Sequence, residues 1–276
     1  MNALGCFSGG VMELVLPALL AGLILTGILS YFGSHIIRRG IIFVDLALAQ
    51  VVALGFGTAQ LLKLEHDSPL YWGLALGFAA LASLLFSLLR KIRGLVNIEA
   101  FIGFVYVLAT ALTFIVLSKS PHGLEEIEQL LNGNILYVCG PDLLKTFLLF
   151  LGVGIFHRIF RRKFYAEPIS LGWDFLFFAT FALVVTSSVV LGGVYLTFSY
   201  LIVPALTGSL FSKDPGKALA IGWGVGILAT ILGGILSFKL DFPPSPSIIV
   251  ALGGFFLLAL IGRLIIKGGG ESGAAV

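Results

Sequence analysis

The chain has 276 residues, of which 58% are hydrophobic and only 11% are charged, with a net charge of +3. A soluble globular protein carries about 25% charged residues, so this composition excludes a water-soluble protein and predicts one that crosses a membrane several times. The basic residues occur in short clusters between apolar runs, which excludes an extended nucleic-acid-binding face.

Nine apolar runs are close to the length of about 20 residues that a membrane-spanning helix needs. The sequence therefore predicts an all-α polytopic membrane protein, a bundle of about eight or nine transmembrane helices, with a single transmembrane domain over residues 1–276. The runs cover residues 11–33, 41–64, 70–89, 98–117, 143–160, 174–191, 194–211, 218–238 and 248–266.

The distribution of lysine and arginine predicts the orientation of the chain. Thirteen of the 17 basic residues lie in alternate segments between the runs. Because lysine and arginine are enriched in cytoplasmic loops, this bias predicts an N-terminus outside and a C-terminus in the cytoplasm. The prediction requires the seventh run to carry the chain across the membrane.

The seventh run belongs to a stretch, residues 192–214, that is apolar but contains several polar residues and Pro204. Proline has no N–H to donate and opposes a continuous helix. Irregular backbone at membrane depth survives only where it is buried in protein or lines a cavity. We therefore expect one broken span at Pro204, leading to a polar turn at residues 212–217. The alternative is an ordinary proline-kinked span.

The eighth run carries a stripe of small residues at four-residue steps. Such a stripe lets a second helix approach closely, and it predicts tight packing inside the bundle or at a dimer face. Its members are Gly222, Gly226, Thr230 and Gly234.

The second run contains two polar residues, Asp45 and Gln50. An acid within a membrane span is costly and suggests a functional site. Five positions correspond to about 140° around a helix, so the two side chains do not face one ion from an unbroken helix. The alternative is structural, with Asp45 paired to Arg38, Arg39 or a neighbouring helix.

The four histidines, His35, His66, His122 and His157, lie in or beside predicted loops, where we expect them to be solvated. The phosphate-binding motif G-x-x-x-x-G-K-[ST] is absent from the sequence. We therefore expect no ATPase activity and no bound cofactor in this chain.

Several segments, in this order, resemble the membrane permeases of metal-importing ABC transporters of the zinc and manganese type. They are ALLAGLILTGILSYFGSHIIRRGIIFVD, IEAFIGFVYVLATALTF, IEQLLNGNILYVCGPDLL, GGVYLTFSYLIVPALTGSLF and IGWGVGILATILGGILSFKLDFPPSPSIIVALGGFFLL.

The resemblance implies the permease subunit of an ABC importer in the inner membrane, transporting a divalent metal ion such as zinc, manganese or iron. It implies three partners, namely a cytoplasmic ATPase that uses ATP, a second permease copy and an external metal-binding protein. It also implies that the ATPase couples to the segment from Leu201 to Lys217. The residues expected there are Leu201, Pro204, Ala205, Gly208, Ser212, Lys213 and Lys217.

The sequence departs from the family at the expected ion site. The aspartate and histidine that the family carries four residues apart fall on Leu46 and Gln50, and Asp45 lies one position away. Asp45 and Gln50 are therefore the candidate metal residues, and the cargo, whether a metal ion or a chelate, stays open.

A second hypothesis is a secondary carrier that works on an ion gradient without an ATPase. Such carriers use interrupted helices and an intramembrane acid, which Asp45 would supply. The sequence offers no second short, interrupted span in an inverted half.

Overall fold

The computed structural model describes residues 11–65, 68–91, 97–120, 123–133, 135, 138, 140–164 and 170–271. Within these residues the chain is helical and contains no strand, which confirms the all-α prediction. The helices are α1 Val11–Arg39, α2 Val44–Leu61, α3 Pro69–Lys91, α4 Ile98–Leu117, α5 Gly123–Asn132, α6 Gly140–Ile159, α7 Arg161–Phe164, α8 Leu171–Phe211, α9 Pro215–Leu240 and α10 Pro244–Glu271.

Seven of the described helices are long and apolar enough to cross a membrane, namely α1, α2, α3, α4, α8, α9 and α10. Helix α8 has 41 residues and contains both the sixth and the seventh predicted runs. Helix α6 corresponds to the fifth run and has 20 residues, but it lies outside that set of seven. The structure therefore supports a polytopic bundle close to the predicted size.

The break in the stretch of residues 192–214 lies at Gly193, between the sixth and seventh runs, so its prediction at Pro204 was wrong. Gly193 has φ 80° and ψ 169°, whereas Pro204 lies inside continuous helix. Only glycine adopts the Gly193 conformation readily, so the chain can leave helical geometry there. A proline in a membrane helix is tolerated where neighbouring groups satisfy the carbonyl that loses its partner.

The Gly193 break accommodates the end of α5. Gly133 follows α5 and has φ 61°. A Cβ atom added to Gly133 would overlap the backbone of Gly192 and Gly193, and one added to Gly193 would overlap Asn132 and Gly133. Two backbones therefore meet here without side chains between them.

The contacts divide the chain into two compact units, each built from discontinuous segments. One unit comprises residues 1–38, 134–140 and 195–276, and the other comprises residues 39–133 and 141–194. Neither unit is a continuous stretch of sequence. The single domain over residues 1–276 stays a prediction.

In the unit formed by residues 39–133 and 141–194, α2 packs against α3 and α4. A Cβ atom at Gly55 would lie 2.6 Å from the Cα of Ala75, and one at Gly57 would lie 3.3 Å from the Leu117 side chain. Small residues thus bring the helices together closely, as is usual in membranes. Helix α2 is buried on nearly all sides, which places both of its polar residues in protein.

In the other unit, the small-residue stripe of α9 packs against α1 and the second half of α8. A Cβ atom at Gly222 would lie 2.7 Å from the carbonyl oxygen of Pro204, and one at Gly226 would overlap Thr26. Thr230 Oγ1 lies 2.6 Å from the Tyr200 hydroxyl, at hydrogen-bonding distance. These three positions lie inside the unit.

Gly234 does not continue this buried stripe. It is only half-buried, and Gly233 takes the buried position, where an added Cβ atom would lie 2.5 Å from the Cα of Ile248. A strict four-residue step advances about 40° beyond a full turn, so the predicted stripe rotates away from the contact face over three steps.

We expect Gly193→Ala to lower the thermal unfolding midpoint of the detergent-purified protein. The substitution forces an L-residue into a glycine-only conformation, at a cost of about 1–3 kcal/mol, and its Cβ atom overlaps the end of α5. Gly172→Ala, in the first turn of the same helix with open space around it, is the control and should not lower the midpoint. Equal midpoints for the two variants would contradict the packing described for Gly193.

Gly222→Ala and Gly224→Ala form a second matched pair, two residues apart in α9. The first must displace the Pro204 carbonyl, whereas the second adds a methyl group to open space. Overpacking of this kind costs about 1–3 kcal/mol, so Gly222→Ala should leave less monodisperse protein after heating, as measured by size-exclusion chromatography. A similar loss for Gly224→Ala would show that the Pro204 contact is not the cause.

Candidate functional site

The turn between α8 and α9 is organised by its own hydrogen bonds. The Asp214 side chain caps α9, because its Oδ1 accepts a hydrogen bond of 2.8 Å from the Lys217 amide. The Asp214 amide donates to Ser212 Oγ over 3.1 Å. Pro215 occupies the first turn of α9, where its missing N–H costs nothing. These contacts hold the turn in one conformation.

Residues 211–217, hereafter the tip, project polar and basic groups. Lys213 and Lys217 are exposed, and the Phe211 side chain is 44% exposed beside them. An exposed aromatic ring flanked by two cations is suited to binding a partner with an acidic surface, because the ring supplies apolar contact and the lysines supply charge complementarity.

The other predicted ATPase-coupling residues are buried. The predicted coupling residues therefore divide into a group in the tip and a group inside the protein. Leu201, Pro204, Ala205 and Gly208 lie inside the protein. A Cβ atom at Gly208 would overlap the carbonyl of Ala218 on α9. These residues cannot contact a partner directly; instead they fix the base of the tip.

Helix α1 contacts this base as well. A Cβ atom at Gly33 would overlap the carbonyl of Leu201 and would lie 3.2 Å from the Cβ of Ala205. On α9, Trp223 Nε1 donates a hydrogen bond of 3.0 Å to the carbonyl oxygen of Gly27 on α1. The base of the tip is therefore a three-helix contact of α1, α8 and α9.

The candidate metal residues lie on α2, which is an unbroken helix. Asp45 is 2% exposed and Gln50 is 4% exposed. Their five-residue separation places them about 140° apart around the helix. Asp45 Oδ1 has no hydrogen-bond partner among the described atoms. Among all the residues that the structure describes, no three histidine, cysteine, aspartate or glutamate residues form a cluster that could hold a metal ion.

The start of α2 is anchored by α4. The Phe43 amide, immediately before α2, donates a hydrogen bond of 3.0 Å to Glu99 Oε1 in the first turn of α4. A carboxylate at a helix N-terminus satisfies a free N–H group and complements the helix dipole. Glu99 thereby positions the helix end that carries Asp45.

The Arg39 partner is Asp174, not Asp45. Arg39 Nη1 lies 2.8 Å from Asp174 Oδ1, both side chains are buried, and the guanidinium lies 3.7 Å above the centre of the Phe177 ring. This pair was not predicted from the sequence, although both residues lie at or beside the ends of predicted runs on the basic side. Arg39 is therefore not the structural partner of Asp45 that the sequence suggested.

His35 and His157 are buried, so the expectation that they are solvated was wrong. His157 Nε2 lies 2.8 Å from Thr180 Oγ1, and its ring stacks on Phe164 with centroids 4.2 Å apart. The His35 ring lies edge-on to Tyr31 at 4.7 Å. The other two histidines, His66 and His122, lie outside the described residues.

Comparisons with known proteins agree on one family. Residues 11–263 match the ABC 3 transport family. A "probable metal transport system membrane protein" of Chlamydia trachomatis is 26% identical over 268 residues, covering 90% of this chain and 88% of its own. The high-affinity zinc uptake system membrane protein ZnuB of Buchnera aphidicola is 25% identical, covering 92% of this chain and 100% of its own.

The fold is also similar to that of a solved structure, PsaBC from Streptococcus pneumoniae in complex with Fab. The TM-score is 0.74 at 19% identity, with 94% of each chain covered. Both this likeness and the family match extend over nearly the whole chain. The chain is thus a multi-pass membrane protein that belongs to the ABC 3 transport family.

Proposed function

We propose that the chain is the permease subunit of an ABC importer for divalent metal ions, driven by a separate cytoplasmic ATPase. The single observation that carries the proposal is the family match over residues 11–263. The names of the relatives, a metal transport system protein and a zinc uptake protein, support a metal as cargo. The match gives no support to a carrier that works without an ATPase.

The tip is the surface through which the ATPase would move the permease. Its exposed Phe211, Lys213 and Lys217 would bind the partner. The hydrogen bonds within the tip would preserve its conformation when the partner moves. The buried base joins α8 to α9 and α1 through backbone contacts at Gly208, Gly222 and Gly33. Because close-packed helices move as units, displacement of the tip would pass to these three helices.

The surrounding assembly follows from the same proposal. A second copy of the permease would complete the translocation path, and an external metal-binding protein would deliver the cargo. The charge bias supports an N-terminus outside and a C-terminus in the cytoplasm, with the tip on the cytoplasmic side. ATP would be bound and hydrolysed by the partner subunit.

The chemistry of α2 favours manganese over zinc as cargo. Carboxylate and amide oxygens suit harder ions such as Mn²⁺, whereas zinc is bound well by histidine and cysteine. Asp45 would supply a carboxylate and Gln50 an amide oxygen. Because they face different directions, each would contribute at a different point of the path or alongside ligands from other helices.

Reversing the charge of the tip tests the coupling surface. We expect Lys213→Glu with Lys217→Glu to weaken co-purification of a co-expressed ATPase subunit by at least about tenfold, because like charges at an interface are strongly unfavourable. The matched control is Lys119→Glu with Lys145→Glu, two exposed lysines in the opposite set of segments. Retention of the ATPase by the tip variant would contradict the assignment.

Asp45→Asn tests the metal site, because it replaces the ionisable carboxyl group with a neutral amide of the same shape. We expect manganese uptake by metal-starved cells to fall by about tenfold or more at unchanged membrane abundance, since an intramembrane carboxylate is a main attraction for a cation. Asp142→Asn, at an exposed position on α6, is the control and should preserve uptake. Unaltered uptake in Asp45→Asn would remove Asp45 from the path and leave the coupling proposal intact.

A further inference from the structure

Helix α6 carries a continuous apolar stripe on its exposed side. The stripe residues are spaced four, three, four and four positions apart, so they lie on one face of the helix. In a multi-pass membrane protein, an exposed apolar face of this length is covered by lipid chains. The stripe consists of Leu144, Leu148, Leu151, Ile155 and Ile159, whose exposed fractions are 58%, 56%, 46%, 51% and 69%.

A dense group of cations surrounds the end of the stripe. Helix α6 ends at Ile159 and α7 spans Arg161–Phe164. Within the described residues no carboxylate forms a salt bridge with Arg158, Arg162 or Lys163. The four exposed basic residues, hereafter the basic cluster, are Arg158, Arg161, Arg162 and Lys163.

An aromatic contact holds the basic cluster in place. Phe164, which is 2% exposed, stacks on His157 at 4.2 Å and meets Trp173 edge-on at 5.5 Å. Phe160 lies 5.2 Å from Trp173. A helix of four residues is not stable alone, so these rings fix its position at the end of α6.

We propose that the basic cluster is a binding site for the headgroups of anionic phospholipids. The lipid-facing stripe sets the depth of the cluster at the headgroup layer, because the cations begin where the apolar face stops. Guanidinium groups bind phosphate oxygens through paired hydrogen bonds. Cations near an anionic surface add about fivefold in affinity each. The proposal goes beyond metal transport and does not depend on it.

Trp173 provides a reporter beside the site. The full-length chain, with Trp72→Phe and Trp223→Phe so that Trp173 is its single tryptophan, would be reconstituted in phosphatidylcholine vesicles. A small fraction of brominated phosphatidylglycerol or of brominated phosphatidylcholine would then be added as quencher. Because four cations each add about fivefold, we expect phosphatidylglycerol to quench Trp173 at a mole fraction lower by about a hundredfold or more. Equal quenching by the two lipids would overturn the proposal.

A charge-matched pair of variants locates the effect. Arg158→Gln, Arg162→Gln and Lys163→Gln together should lower the phosphatidylglycerol preference to about fivefold, because only Arg161 of the cluster then remains. Lys119→Gln, Lys145→Gln and Lys239→Gln, three exposed lysines elsewhere, should leave it intact. A cluster variant that keeps the lipid preference but loses an ATPase partner would overturn the proposal in favour of a protein partner.

The salt dependence of lipid binding by the unmutated protein provides a test that does not require the cluster variant to fold. The phosphatidylglycerol preference should fall as NaCl is raised from about 50 to about 500 mM, because exposed ion pairs are screened. A preference that resists this change would contradict an electrostatic headgroup site.

Discussion

The contact on which the transport account depends is the backbone-to-backbone packing of α8 against α9. Gly222 meets the Pro204 carbonyl, and Gly208 meets the Ala218 carbonyl, so two antiparallel helices touch at two successive levels below the tip without side chains between them. In a bilayer the hydrophobic effect does not drive helices together, and close packing at small residues takes its place. The same device joins α1 to α8 at Gly33 and α9 to α10 at Gly233. Loss of these contacts would leave an exposed turn that transmits nothing.

The division of labour within residues 201–217 follows from this packing. The exposed part, Phe211 to Lys217, offers a ring and two cations for a partner, while the buried part is committed to the protein interior. A passive permease needs both parts. Without a stiff base, a displacement of the tip by the bound partner would only bend the chain locally and would not reach the helices. The aspartate cap at Asp214 and the glycine contacts supply that stiffness by independent means. Helix α2, buried on nearly all sides and preceded by the Phe43 amide that donates to Glu99, keeps Asp45 inside the protein.

The sequence predicted the helical bundle, the approximate spans, the family and the turn after Phe211, because apolar length and charge bias are local properties. It placed the break at Pro204, whereas the break lies at Gly193. A proline can fit within a membrane helix, whereas the close approach of the Gly133 backbone requires a residue without a side chain at position 193. The burial of His157 and the Arg39–Asp174 pair depend on contacts between residues far apart in the chain, which spacing does not reveal. The metal residues stay a prediction, because Asp45 and Gln50 diverge on one helix and further ligands would have to come from elsewhere.

The central claim is that this chain is a permease subunit without ATPase activity, and that a separate nucleotide-hydrolysing partner changes its conformation through the tip. The most direct measurement is manganese entry into proteoliposomes that contain the purified permease, with the external binding protein supplied outside. The account predicts entry only when the ATPase subunit and ATP are both present on the tip side, with no entry under a proton or sodium gradient alone. Sustained entry driven by an ion gradient in vesicles that lack the ATPase would contradict it.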